Sequence, residues 1–159
     1  FPACPPPNVS FPDVNISFAV PAGFLSARLP DGASIAAYEM TSSTSGALST
    51  IVIRRYQISA SSTALATIQQ TAIGGASGMP AGATSFTSTA LGTHRFTLVS
   101  LERFEGVVDT AYYLARGADV LRFDAIDTGV MNWTDPGLNA SLLPAHRALV
   151  KLLTTLQGQ

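Results

Sequence analysis

A chain of 159 residues, 47% of them apolar, has the length of one domain and enough hydrocarbon for a substantial core, which argues against a two-domain enzyme and excludes a largely disordered chain. Charged residues make up only 12%, nine basic against ten acidic, and the net charge of −1 leaves no electrostatic basis for tight nucleic-acid binding. No apolar run approaches the roughly 18 to 20 residues needed to span a bilayer, and 32 serines and threonines replace the missing charges as solvating groups.

The chain opens on Phe1 to Pro12, which holds five prolines and so cannot be a helix or an interior strand. It reads as an extended arm, residues 1–12, ahead of a single domain over 13–159. A first residue other than Met fits a trimmed, exported chain, so the expected location is extracytoplasmic: secreted, periplasmic or in the cell envelope. A lipid anchor or envelope tether upstream of residue 1 is compatible with that. Cys4 is the only cysteine, which excludes an intramolecular disulfide and a cysteine-based metal cluster. Phe1 and Pro2 make a poor lipobox around it, and an incidental free thiol is the simpler reading. All four asparagines, Asn8, Asn15, Asn132 and Asn139, lie in N-x-S/T, the acceptor pattern for N-glycosylation. One lysine against eight arginines points instead to a GC-rich bacterial genome, where that pattern carries no meaning.

The run Asn15 to Val20 alternates and is rich in β-formers, and Pro21-Ala22-Gly23 stops it. Pro30-Asp31-Gly32 is a turn, followed by a strand from about Ala33 to Met40. The polar loop Thr41 to Gly46 then joins it to a strong β segment, Ser49 to Ile58, predicting a hairpin. Ser61 or Ser62 caps a helix reaching about Ile73, ended by Gly74-Gly75. Beyond the glycine-rich loop Gly74 to Gly82, Ser85 to Leu91 is a modest strand. Three β-rich runs follow, His94 to Phe104, Val107 to Arg116 and Asp119 to Asp127, separated by the turns Glu105-Gly106 and Gly117-Ala118. They predict an antiparallel meander. In the first of them Phe96 and Leu98 share one parity and Val99 and Leu101 the other, so both faces are covered. Leu149, Leu152, Leu153 and Leu156 fall at i, i+3, i+4, i+7 and predict an amphipathic closing helix with Pro144 in its first turn.

This order of elements, together with Phe18-Ala19-Val20-Pro21-Ala22-Gly23-Phe24, resembles the PsbP-like family. The likeness spans roughly Phe11 to Gln157, with Phe24 where that family more usually has Trp. It implies an α+β fold: a central antiparallel sheet of about six to seven strands with helices on both faces, an α/β/α sandwich. It also implies exported or lumenal proteins that bind or assemble without catalysis. No functional residue carries over, and function does not follow from fold.

The chemistry-bearing residues are few. Gly75-Ala76-Ser77-Gly78 lacks the G-x-S-x-G spacing of a hydrolase elbow, though its amides suit an anion nest; flexible connection is the plainer reading. No phosphate-binding glycine fingerprint occurs. His94 and His146, the only histidines, lie on separate predicted elements, short of the three or four ligands that zinc needs, and no metal or cofactor is expected. Glu102, Glu105, Asp109, Asp119, Asp124 and Asp127 cluster along the meander, where Arg103, Asp109, Arg122 and Asp124 are placed for cross-strand ion pairs. Arg54 and Arg55 point to opposite faces of their strand. The loop Thr128 to Leu138 holds the only tryptophan, Trp133, beside Met131, with Tyr112 and Tyr113 as neighbours. These four form the candidate surface for a partner or ligand; the alternative is that Trp133 seals the core. The expected function is an exported, non-catalytic binding or assembly domain for a protein partner or a hydrophobic small ligand. A small hydrolase and a surface-structural or adhesive domain are the alternatives.

Overall fold

The computed structural model describes residues 6–158 except 75–77, 79, 83 and 84. Cys4 and the nest candidate Gly75-Ala76-Ser77 lie outside the described residues.

Among the described residues ten strands and two α-helices run in the order β1 (Val9–Phe11), β2 (Ile16–Phe18), β3 (Leu25–Ser26), β4 (Ser34–Thr41), β5 (Leu48–Gln57), α1 (Ala64–Thr71), β6 (Thr87–Leu91), β7 (His94–Phe104), β8 (Val107–Ala115), β9 (Asp119–Asp127), α2 (Pro144–Thr155) and β10 (Gln157–Gly158), with a 3-10 turn at Ala140–Leu142 ahead of α2. Seven strands form one antiparallel sheet in the order β3-β4-β5-β9-β8-β7-β6. The meander is set by its turns. At the β7–β8 tip both Glu105 and Gly106 have positive φ, 50° and 81°, the backbone of a type I′ turn. At β6–β7 only Gly92 does, at 60°, and a Cβ there would stand 2.7 Å from the Thr154 carbonyl oxygen. Close approach to α2 therefore requires glycine at that corner.

The second sheet has the order β1-β2-β10. Val9–Phe11, inside the proline-rich segment, is thus an edge strand, and Asn15, read from the sequence as strand, is a turn residue with φ 56°, a conformation asparagine tolerates. Phe11 stacks on Phe18 at 5.8 Å, and Phe18 meets the edge of Tyr38 at 6.1 Å. This small sheet shares one face of the main sheet with α2, and the larger core lies beneath the two. Ile51, Ile53, Leu121 and Phe123 meet Leu149, Leu152 and Leu153 there, all fully buried. Each such side chain contributes about 1.5–3 kcal/mol of burial free energy.

The two-turn α1 lies across the other face, where Ile68 and Ala72 pack on Val99, Ala111, Tyr113 and Val120, with Ile58, Ala81 and Phe86 against the same cluster. The helices-on-both-faces sandwich expected from sequence is therefore corrected. Of the described residues 44% are in strands or bridges and 16% in helices, and α2 shares its face of the main sheet with a second, three-stranded sheet that the sequence reading did not anticipate. The reason is local. Strands of two or three residues have no periodicity to detect, and their partners are remote: β10 pairs with β2 across most of the chain.

Candidate interaction site

The loop between β9 and α2 does not hang free; it docks on the β7–β8 turn. The Val130 amide donates to the Gly106 carbonyl at 2.9 Å, and the amides of Trp133, Asp135 and Leu138 each donate back within the loop. Arg103 fastens it further, its Nε donating to the Trp133 carbonyl at 2.6 Å and its Nη2 to the Asp135 carbonyl. Sequence reasoning assigned Arg103 to a cross-strand ion pair; its described partners are instead these two loop carbonyls. The result is an apolar end: Trp133 meets the edge of Phe104 at 5.9 Å, Phe104 remains 45% exposed, and Met131 is 92% exposed.

Tyr112 and Tyr113 do not join this end. Successive residues of a strand point to opposite faces, and both rings are buried, one in each core. Tyr113 shares a hydrogen bond with the Thr71 hydroxyl at 3.0 Å. Tyr112 bonds His146 Nε2 at 2.5 Å. Burial lowers the His146 pKa and pushes the Tyr112 phenol up to about 12, so a neutral phenol meets a neutral imidazole. The His146 Nδ1 is buried toward the Ala140 carbonyl without a hydrogen bond of normal geometry. His94 is half-buried, with Nε2 at 2.7 Å from the Gly158 carbonyl. Neither histidine forms a described hydrogen bond with a serine or a carboxylate.

Asp127, at the end of β9, accepts from the Ser49 hydroxyl at 3.0 Å and from the Ala145 amide at 2.8 Å. Burial raises its pKa against these donors. It does structural work, because α2 starts at Leu143, which has no side-chain cap of its own.

Asp124 and Asp109 lie on the face that carries α1. Asp124, fully buried, accepts from Arg122 Nε at 2.6 Å and from Arg54 Nη1 at 3.3 Å, and Arg54 also bonds Asp31. Asp109 shares that face one diagonal ladder step away, since Ala111 rather than Asp109 opposes Asp124. Burial, then repulsion from Asp124, raises the Asp109 carboxyl well above 3.8, and its Oδ1 has no hydrogen-bond partner among the described residues. On the other face Asp119 binds Arg55 at 2.6 Å and Arg116 at 2.7 Å; the Arg116 hydrogen bond leads the lowering of its pKa. Among the described residues no group of three or more His, Cys, Asp or Glu is placed to hold a metal.

The fold and this apolar end define a mostly antiparallel β domain with a docked loop rather than a recognisable catalytic constellation. No family model matches the chain, and no curated protein matches it in sequence. Among solved structures it is similar to a crystal structure from Bacteroides thetaiotaomicron VPI-5482, with a TM-score of 0.51 at 10% identity. The match covers 99% of this chain and 47% of the other, so the chain spans about half the length of that protein. A likeness at this identity establishes a shared fold and nothing about activity.

Proposed function

We propose that this is a non-catalytic, extracytoplasmic binding domain that engages a protein partner through Phe104, Met131 and Trp133. The observation that carries the reading is a large apolar side chain left 92% exposed at Met131, on a loop that Arg103 and Gly106 hold in place beside an aromatic pair. Preformed aromatic and Met anchors are the composition of interface hot spots, and holding them rigid lowers the entropic cost of association. No helix among the described residues is long and apolar enough to cross a membrane. The PsbP-like resemblance adds no support, because the sandwich it implies is not formed.

Carboxyl-based hydrolysis is the second reading, favoured by the unpartnered Asp109 Oδ1. Against it, Asp124 is fully buried between two arginines, which leaves a substrate only Asp109 to meet.

Photocrosslinking in the source organism tests the proposal. A benzophenone side chain at position 131 is expected to give a discrete adduct that the same group at Ser43, on the exposed Thr41 to Gly46 loop, does not. No adduct, or the same adducts from both positions, overturns it.

A further inference from the structure

A groove of about 260 Å³ runs beside α2, separate from the Phe104–Trp133 end. Phe24, Met40 and Ala148 line it, as does Leu142, which is 65% exposed, and Arg147 and Lys151 stand along it. The two cations are four residues apart on one helix and so share a face. No acidic side chain lines the groove.

The distribution of charge makes these two cations unusual. Of the nine basic side chains in the chain, Arg54, Arg55, Arg116 and Arg122 are held by carboxylates. Arg103 is spent on loop carbonyls and Arg95 on the Ser88 hydroxyl. Arg147 and Lys151 form no ion pair or side-chain hydrogen bond among the described residues. Three basic side chains, Arg28, Arg147 and Lys151, have no described ion pair or side-chain hydrogen bond, and two of the three lie against one apolar groove.

We propose that this groove binds a single-chain anionic amphiphile, a medium-length alkyl carboxylate, with its chain along Phe24, Met40 and Ala148 and its carboxylate between Arg147 and Lys151. Apolar lining accounts for the chain and charge complementarity for the head. The volume lies just under the roughly 300–1,000 Å³ of drug-sized sites, which suits one alkyl chain rather than two.

The test is titration of the whole chain with decanoate below its micelle concentration, read by backbone amide chemical shifts. Saturable shifts confined to Phe24, Met40 and the Arg147 to Lys151 turn are expected. Decanol and acetate should each bind roughly tenfold more weakly or not at all. The double variant Arg147→Gln, Lys151→Gln, both positions being exposed, should keep the melting temperature and lose roughly tenfold in decanoate affinity. Equal binding by the double variant, equal binding of decanol, shifts centred elsewhere, or binding to phosphatidylglycerol vesicles without binding to monomeric decanoate would each overturn the assignment.

Discussion

At the scale of single residues, Asp109 and Asp124 have the same chemistry and opposite consequences. Asp124 neutralises Arg54 and Arg122 in a site with no solvent. Asp124→Asn would leave two guanidinium groups undercompensated, at a cost of about 3–5 kcal/mol in urea unfolding at pH 7. Burial and its neighbour raise the pKa of Asp109, so between the unfolded and folded values the folded chain binds a proton that the unfolded chain releases. Stability therefore falls as pH rises from 3.8 toward the raised folded value. Asp109→Asn keeps a neutral donor there, and its stability at pH 7 should be equal or higher by about 1 kcal/mol, with that slope removed. A large loss in Asp109→Asn would show that the carboxyl is needed in its ionised form. His146 works in the other direction. Burial lowers its pKa from 6.5, so the unfolded chain takes up the proton first. Stability is retained above 6.5 and lost as pH falls below it through the folded value. His146→Gln should flatten that part of the stability profile, measured as unfolding midpoint against pH. The sequence placed these carboxylates along the meander and expected Arg122 and Asp124 in cross-strand ion pairs; Arg122 instead bonds Asp124 within β9, and the cross-strand partner of Asp124 is Arg54 on β5. Pairing across strands depends on register, which the pattern of apolar residues leaves open by two-residue steps.

At the scale of elements, α2 is held at its start by a residue from another element. Leu143 cannot cap, and Asp127 on β9 accepts the Ala145 amide instead. Asp127→Ala should cost about 2 kcal/mol, the upper range for a lost cap, read as a lowered melting temperature. Asp127→Asn, which can still accept, should recover much of it. The β6–β7 corner has a similar dependence. Gly92→Ala would drive a methyl into the Thr154 carbonyl at positive φ, with an expected loss of about 1–3 kcal/mol. The long elements were legible because their patterns are long. β4, β5, β7, β8 and β9 fall within a few residues of the expected strands, and α2 carries the Leu149 to Leu156 spacing with Pro144 at its first position. The β1, β2 and β10 sheet was not legible as a unit. Its longest strand has three residues, and β10 comes to β2 from the far end of the chain, directly after α2.

At the scale of the molecule, scarcity of charge becomes an arrangement. Asp119, Asp124, Asp127 and most of the arginines are engaged within the fold, and of the large apolar side chains left exposed at several places on the surface, Phe104 and Met131 fall together at the β7–β8 tip and its docked loop. Met131 and Trp133 were legible as a pair because a lone tryptophan beside a methionine on a predicted loop stands out. Phe104 and Arg103 were not, since a strand-end Phe and a strand Arg look like packing and ion pairing until the loop is seen to fold back on them. Tyr112 and Tyr113 were drawn into the candidate by adjacency in sequence, which in a strand means opposite faces. The most direct test of the proposed function is the affinity of the crosslinked partner for two purified variants, followed by calorimetry. Phe104→Ser combined with Met131→Ser is predicted to weaken binding by about a hundredfold, the loss of two hot-spot side chains, with the melting temperature unchanged, while Asp109→Asn binds as the parent does. Undiminished binding by the double variant, or binding lost in Asp109→Asn instead, would contradict the proposal that this apolar end is the working surface of the protein.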